Sequence, residues 1–187
     1  VNNETGAVMP ISQMAKLTHR LCPDAFFHTD AVQGFLKVPF TVKELGVDFL
    51  TVSGHKIHAP KGIGAIYVKN GLKLSPMIRG GGQEKGLRNG TENIAYAAGF
   101  AEAVRMLKNS KAALSHVTAL RDRLREGVQQ LPEAVVNSPA DASPYIFNFS
   151  LPGYRSETLL HALAQQQIYV SSGSACSKGK KSAVLSA

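Results

Sequence analysis

An α/β fold is predicted for residues 1–187 by three features of the sequence. Short runs rich in apolar, β-branched and aromatic residues, such as Phe26-Phe27-His28-Thr29 and Val47-Asp48-Phe49-Leu50-Thr51-Val52, each run into polar residues. Stretches with apolar residues at helical spacing alternate with these runs. Proline and glycine signals separate the two kinds of segment. Such alternation is that of an α/β sheet, expected to be mostly parallel and to occupy residues 1–108, while residues 109–187 are expected to supply a linking helix and a small α+β domain.

In chain order, Val1 to Asn3 read as the tail of a strand. Pro10 to Leu21 carry Ile11, Met14, Ala15 and Leu17 at helical spacing, and Cys22-Pro23 ends the helix. Phe26 to Thr29 form the next strand, Thr41 to Leu45 a short crossover, and Val47 to Ser53 a buried strand. After the turn signals Ala59-Pro60-Lys61-Gly62, Gly64 to Val68 form another strand. Glu92 to Leu107 read as a helix facing inward with Ile94, Ala97, Ala98, Ala101, Val104 and Leu107. Ser110 to Leu131 read as a second helix, with Leu114, Val117, Leu120, Leu124 and Val128 inward and Arg121, Arg123 and Arg125 toward water. A strand over Tyr145 to Leu151, a helix over Glu157 to Gln166 and a strand over Ile168 to Ser171 complete the chain.

Hydrophobic residues make up 44% and charged residues 18% of the chain, values that place it among ordinary soluble globular proteins. No apolar run is long enough to cross a bilayer, so no membrane partner is expected. No charged start followed by an apolar core reads as a signal peptide, although the chain opens on Val-Asn-Asn-Glu without an initiator methionine. Cys22 and Cys176 are too few for a disulfide framework and suit a reducing cytoplasm. Nothing has the spacing of a zinc or iron–sulfur site. A formal charge of +8 favours acidic ligands or partners, but the basic residues are scattered, so direct nucleic-acid binding is not expected.

Ser53-Gly54-His55-Lys56 directly follows the buried strand, and strand ends are where open α/β sheets bind ligands. A lone lysine in a turn is ordinarily solvated. Desolvated behind an apolar strand, it has the amine chemistry that Schiff-base formation requires. The other strand ends on Asp30, which taken alone reads as a helix N-cap. Lysine for an imine and aspartate for a pyridinium nitrogen are the paired requirements of a pyridoxal phosphate site. Cys176 lies in a run of small residues near Lys178, Lys180 and Lys181, surroundings that favour a thiolate. Gly80-Gly81-Gly82 permits close backbone approach, yet no Walker-type Lys-Ser/Thr follows, so a turn is expected there rather than a phosphate loop.

Taken together, Val1-Asn2-Asn3-Glu4, His28-Thr29-Asp30-Ala31-Val32-Gln33, Ser53-Gly54-His55-Lys56, Gly80-Gly81-Gly82-Gln83-Glu84, Arg88-Asn89-Gly90-Thr91 and Ser171-Ser172-Gly173-Ser174-Ala175-Cys176 resemble the cysteine desulfurases of the NifS/IscS type, class V members of the fold-type I pyridoxal phosphate enzymes. The resemblance implies a partial fold-type I large domain that binds pyridoxal 5'-phosphate. Lys56 would hold the cofactor and move protons at the substrate α carbon; Asp30 would pair with the pyridine nitrogen, and Gln33 and Asn3 would reach the phenolic oxygen. Ser53 and His55 would donate to the phosphate, and Thr91 to that of a neighbouring subunit, implying a homodimer. Cys176 would take the sulfur of L-cysteine as a persulfide, leaving alanine, and deliver it to an iron–sulfur scaffold or a tRNA-thiolation enzyme. The family's N-terminal half and its C-terminal carboxylate-binding arginine do not lie in this sequence, so residues 1–187 by themselves are expected to be inactive. A selenocysteine lyase or other class V lyase is the enzyme alternative; a non-catalytic basic module for tRNA or an acidic protein is the alternative of another class.

Overall fold

A computed structural model describes residues 1–108, 111–173 and 182–186. The chain divides into two units, one of Pro10–Ser110 and one of Val1–Met9 with Lys111–Ala187.

In the first unit, helix α1 (Ile11–Leu21) starts at Pro10, whose carbonyl accepts from the Gln13 and Met14 N–H groups at 3.0 Å. It ends at Cys22 because Pro23 has no N–H with which to continue the ladder. Strand β1 (His28–Asp30) is followed by a single-turn helix, α2 (Val42–Leu45). A capping box starts α2: Glu44 N–H donates to Thr41 Oγ1 at 3.2 Å, and Thr41 N–H donates back to Glu44 Oε2 at 3.0 Å. Strands β2 (Phe49–Ser53) and β3 (Gly64–Val68) complete a sheet in the order β1-β2-β3. The β1–β2 pair is parallel, with Asp30 opposite Thr51; β3 is antiparallel to β2, with Gly64 opposite Ser53.

Alternation along β2 sends Leu50 and Val52 to one face, where Ala15, Ala31, Val47 and Leu50 form a buried core packed by Ile11, Phe27, Phe40, Val42 and Leu45. Phe49, Thr51 and Ser53 share the opposite face with His28 and Asp30. Asp48, only 4% exposed, ties three elements to this sheet. Its Oδ2 accepts from Phe27 N–H at 2.9 Å and lies 2.7 Å from His19 Nε2 on α1, and its Oδ1 accepts from Lys69 Nζ at 3.2 Å. Burial opposes the charge, but these hydrogen bonds outweigh it and hold the carboxyl below the ordinary aspartate range.

Helix α3 (Ile94–Leu107) begins three residues after Thr91, with Asn93 as its cap accepting from Tyr96 N–H at 3.1 Å. Its packed face differs in part from the expected one. Ile94 is 77% exposed, while Ala103 is buried and Gly99, Phe100, Val104 and Leu107 are half-buried. Glycine at position 99 admits the Pro60 ring, for a Cβ there would lie 2.9 Å from Pro60 Cγ, and Phe100 packs on Phe35 with ring centroids 6.4 Å apart.

The second unit contains α4 (Lys111–Gln129), the two-residue strands β4 (Val135–Val136) and β5 (Phe149–Ser150), and α5 (Ser156–Gln165). β4 and β5 pair antiparallel, and Ser138 Oγ accepts from Asn148 N–H at 2.8 Å beside them. Expected as solvent-facing, Arg121 and Arg125 instead turn inward: Arg121 donates to the Ala142 carbonyl, and Arg125 to those of Pro139 and Ser138. Turn carbonyls without a ladder partner need donors, and a guanidinium reaches them while burying its stem. Leu120 and Leu124, expected inward, are about half exposed at 52% and 50%. Ile168 to Ser171 do not form the expected strand; α5 instead closes with Gln167 in the left-handed region at φ 59° and Ile168 N–H donating to the Leu163 carbonyl at 3.0 Å. Val1 to Asn3 likewise form no strand, because Asn2 Oδ1 accepts from the Glu4 and Thr5 N–H groups and bends the chain into a turn.

Candidate active site

Parallel pairing brings two of the anticipated groups to one edge of the sheet. β1 ends on Asp30, and the next residue's N–H, that of Ala31, donates to the Thr51 carbonyl at 2.9 Å, keeping the strands in register to their ends. β2 then leaves the sheet through Ser53 into a 3-10 turn, Gly54–Ile57, that carries Lys56. Asp30 and the Ser53–Lys56 segment therefore emerge at the carboxyl ends of neighbouring strands.

The turn is held from both sides. Gly54 N–H donates to the Ile63 carbonyl at 2.8 Å, and a Cβ at Gly54 would fall 2.7 Å from the Ile63 side chain, so glycine is needed for this approach. Ile57, 1% exposed, anchors the turn in the interior, and His58 closes it at φ 63°. Lys56 is half-buried while His55 is exposed. Ser53 Oγ and His55 Nδ1 lie 2.7 Å apart, which pairs a hydroxyl and an imidazole on one side of the lysine.

Asp30 is exposed, and its Oδ1 accepts from Val32 N–H at 2.8 Å. Among the described residues its other oxygen has no hydrogen-bond partner. Beyond Asp30 the chain winds through helical turns, with Phe35 N–H donating to Ala31 and Val38 N–H to Gly34, at 2.8 and 2.9 Å. Those turns place Gln33 beside Lys37, whose Nζ donates to Gln33 Oε1 at 3.4 Å. Burial first, and then the Lys56 charge, hold the Lys37 ammonium below the ordinary lysine range. Sequence reasoning did not single out Lys37; its i,i+4 spacing from Gln33 was the available signal.

Thr91 is exposed at the end of a loop that a buried asparagine organises. Asn89, 8% exposed, accepts from Gly82 N–H at 2.6 Å and donates to the Ile78 carbonyl at 2.5 Å, while Gln83 Oε1 accepts from Gly90 N–H at 3.2 Å. Gly80-Gly81-Gly82 is thus stitched into a turn. Asn3 is exposed in the unit of Val1–Met9 and Lys111–Ala187. Cys176 lies outside the described residues. Those residues hold no cluster of three metal-ligating side chains, and none of their helices is long and apolar enough to cross a membrane.

Comparison with known proteins identifies the family and the fold. The family described as aminotransferase class-V matches residues 1–185. A cysteine desulfurase IscS of Clostridium botulinum is 41% identical over 180 residues, covering 94% of this chain and 45% of that protein. A cysteine desulfurase of Gluconacetobacter diazotrophicus is 40% identical over 181 residues, covering 95% and 45% respectively. Among solved structures, a NifS-like protein superposes with a TM-score of 0.86 at 37% identity, covering 91% of this chain and 47% of the other. The NifS-like protein of Rickettsia africae gives 0.86 at 34% identity, covering 93% and 48%. The chain spans about half the length of the curated relatives it matches. Its α/β fold is therefore that of NifS-like proteins, and the chain belongs to the class-V aminotransferase family.

Proposed function

We propose that the full-length protein carrying this sequence is a pyridoxal phosphate-dependent cysteine desulfurase. The observation that carries the reading is the emergence of Asp30 and the Lys56 turn at the same edge of two parallel strands. The donor set fits the cofactor: an amine at Lys56, a carboxylate oxygen of Asp30 without a described partner, the Gln33 amide, and the Ser53–His55 pair as phosphate donors. Likeness to proteins named cysteine desulfurase supports the same reading.

When bound, pyridoxal phosphate supplies an electron sink that labilises bonds at the carbon bearing the substrate amine. Lys56 Nζ would hold the cofactor and would move a proton at the substrate Cα. Asp30 would keep the pyridine nitrogen protonated, and Gln33 and Asn3 would be the residues that reach the phenolic oxygen. Cys176 Sγ takes the sulfur atom: L-cysteine and the Cys176 thiol become L-alanine and a Cys176 persulfide, with no atom left over. Residues 1–108 read as the cofactor-binding part and 109–187 as the part bearing the sulfur-carrying thiol. A cytoplasmic homodimer, with Thr91 reaching the neighbouring subunit's phosphate, hands the sulfur to an iron–sulfur scaffold or a tRNA-thiolation enzyme.

The test is made on the full-length protein. A visible absorption band that Lys56→Ala abolishes, together with alanine release and persulfide transfer that Cys176→Ala abolishes, is expected. A colourless preparation that binds tRNA would favour a basic binding module, and undiminished persulfide delivery by Cys176→Ala would favour another class V lyase.

A further inference from the structure

We propose that Lys37 is a positioning residue of the cofactor site, clamping the Gln33 amide by its oxygen so that the amide nitrogen is left to donate to the bound cofactor. The inference rests on the reading just given and assigns a role to a residue that reading does not use.

Gln33 and Lys37 stand four residues apart in the turns that follow β1, and the chain brings their side chains together there. Lys37 Nζ lies 3.4 Å from Gln33 Oε1. A primary amide has two unlike ends, and an ammonium offers donors and no acceptor, so only the oxygen can face Lys37. With that end occupied, the Gln33 Nε2 hydrogens are directed to an acceptor elsewhere. An anionic ring oxygen is such an acceptor; a ligand donor in its place would meet the wrong end of the amide.

Lys37 is half-buried, which an ammonium tolerates only with compensating contacts. The residue before it, Leu36, has φ 60°, a conformation that costs a non-glycine residue free energy and persists where the surroundings enforce it. Lys37 also stands within electrostatic reach of Lys56, as the influence of that charge on its own ionisation indicates.

In the full-length protein, the dissociation constant of pyridoxal phosphate by equilibrium dialysis reads the role without recourse to turnover. Lys37→Met is expected to weaken binding about tenfold, the loss of roughly one hydrogen bond. Lys37→Arg keeps both charge and donor and restores wild-type values. Gln33→Leu weakens binding to the same extent, and the double variant Gln33→Leu/Lys37→Met is no weaker than Gln33→Leu. A present band with an unchanged dissociation constant in Lys37→Met, or additive losses in the double variant, overturns this inference alone. Absence of any Lys56-dependent band from the wild-type protein overturns the cofactor reading and this inference with it. Should Lys37→Met not fold, Lys37→Leu replaces it with the same expected loss of about tenfold, and an unchanged dissociation constant overturns the proposal.

Discussion

Asp48→Ala removes the acceptor on which α1, the start of β1 and the end of β3 converge. Three contacts are lost, and they are not equal. Phe27 N–H lies beside a side chain only 6% exposed, and left without an acceptor it costs about 1–3 kcal/mol. The His19 and Lys69 side chains are 31% and 52% exposed, so both recover water and each contributes roughly 0–1 kcal/mol. The expected loss is therefore about 2–4 kcal/mol, dominated by the backbone donor. Because the folded carboxyl is held below its ordinary range, its contribution is fully present above the unfolded value of about 3.9. That contribution is lost as pH falls through the lower folded value. Urea denaturation of wild type and variant, followed by circular dichroism at pH 7 and again well below pH 3, measures both effects. Hydrogen exchange should locate the weakening in β1 and β2. A variant within about 0.5 kcal/mol of wild type at pH 7, or an equal deficit at both pH values, would refute the reasoning.

Asn89→Ala should leave Gly82 N–H and the Ile78 carbonyl unpaired and loosen the loop by about 1–3 kcal/mol, read as faster amide exchange at Gly82. Gly99→Ala, which in an open helix position would stabilise by about 1 kcal/mol, should instead destabilise α3. The new Cβ would fall 2.9 Å from Pro60, and a rise in melting temperature would contradict that packing. Gln167→Gly should stabilise α5 by roughly 0.5–1 kcal/mol by relieving the left-handed φ of 59°, checked by thermal unfolding. Leu50→Ala should cost about 2–5 kcal/mol in the first unit, measured by denaturant midpoint, because Leu50 sits in its closed core.

Much of the first unit could be read from its residues. The capping box of Thr41 and Glu44, the proline that stops α1, and the apolar runs at β2 and β3 are signals contained within a few consecutive positions. So was the delivery of Asp30 and Lys56 to strand ends. The helix faces were less legible. Periodicity placed Ile94 and Leu120 inward, but the glycine at 99 that admits Pro60, and the turn carbonyls that draw in Arg121 and Arg125, depend on segments far along the chain. A predicted strand at Ile168–Ser171 had the right residue types, yet a strand exists only where another edge accepts its hydrogen bonds.

By itself the sequence determined which residue types stand at the strand ends, because strand period, capping and turn chemistry act over a few neighbouring residues. Only the tertiary structure decided that Asp48 would join His19, Phe27 and Lys69, and that the amine influenced by Lys56 would be Lys37. Burial and charge pairing depend on which distant segments the chain folds back to meet, and one-dimensional spacing does not encode that distance.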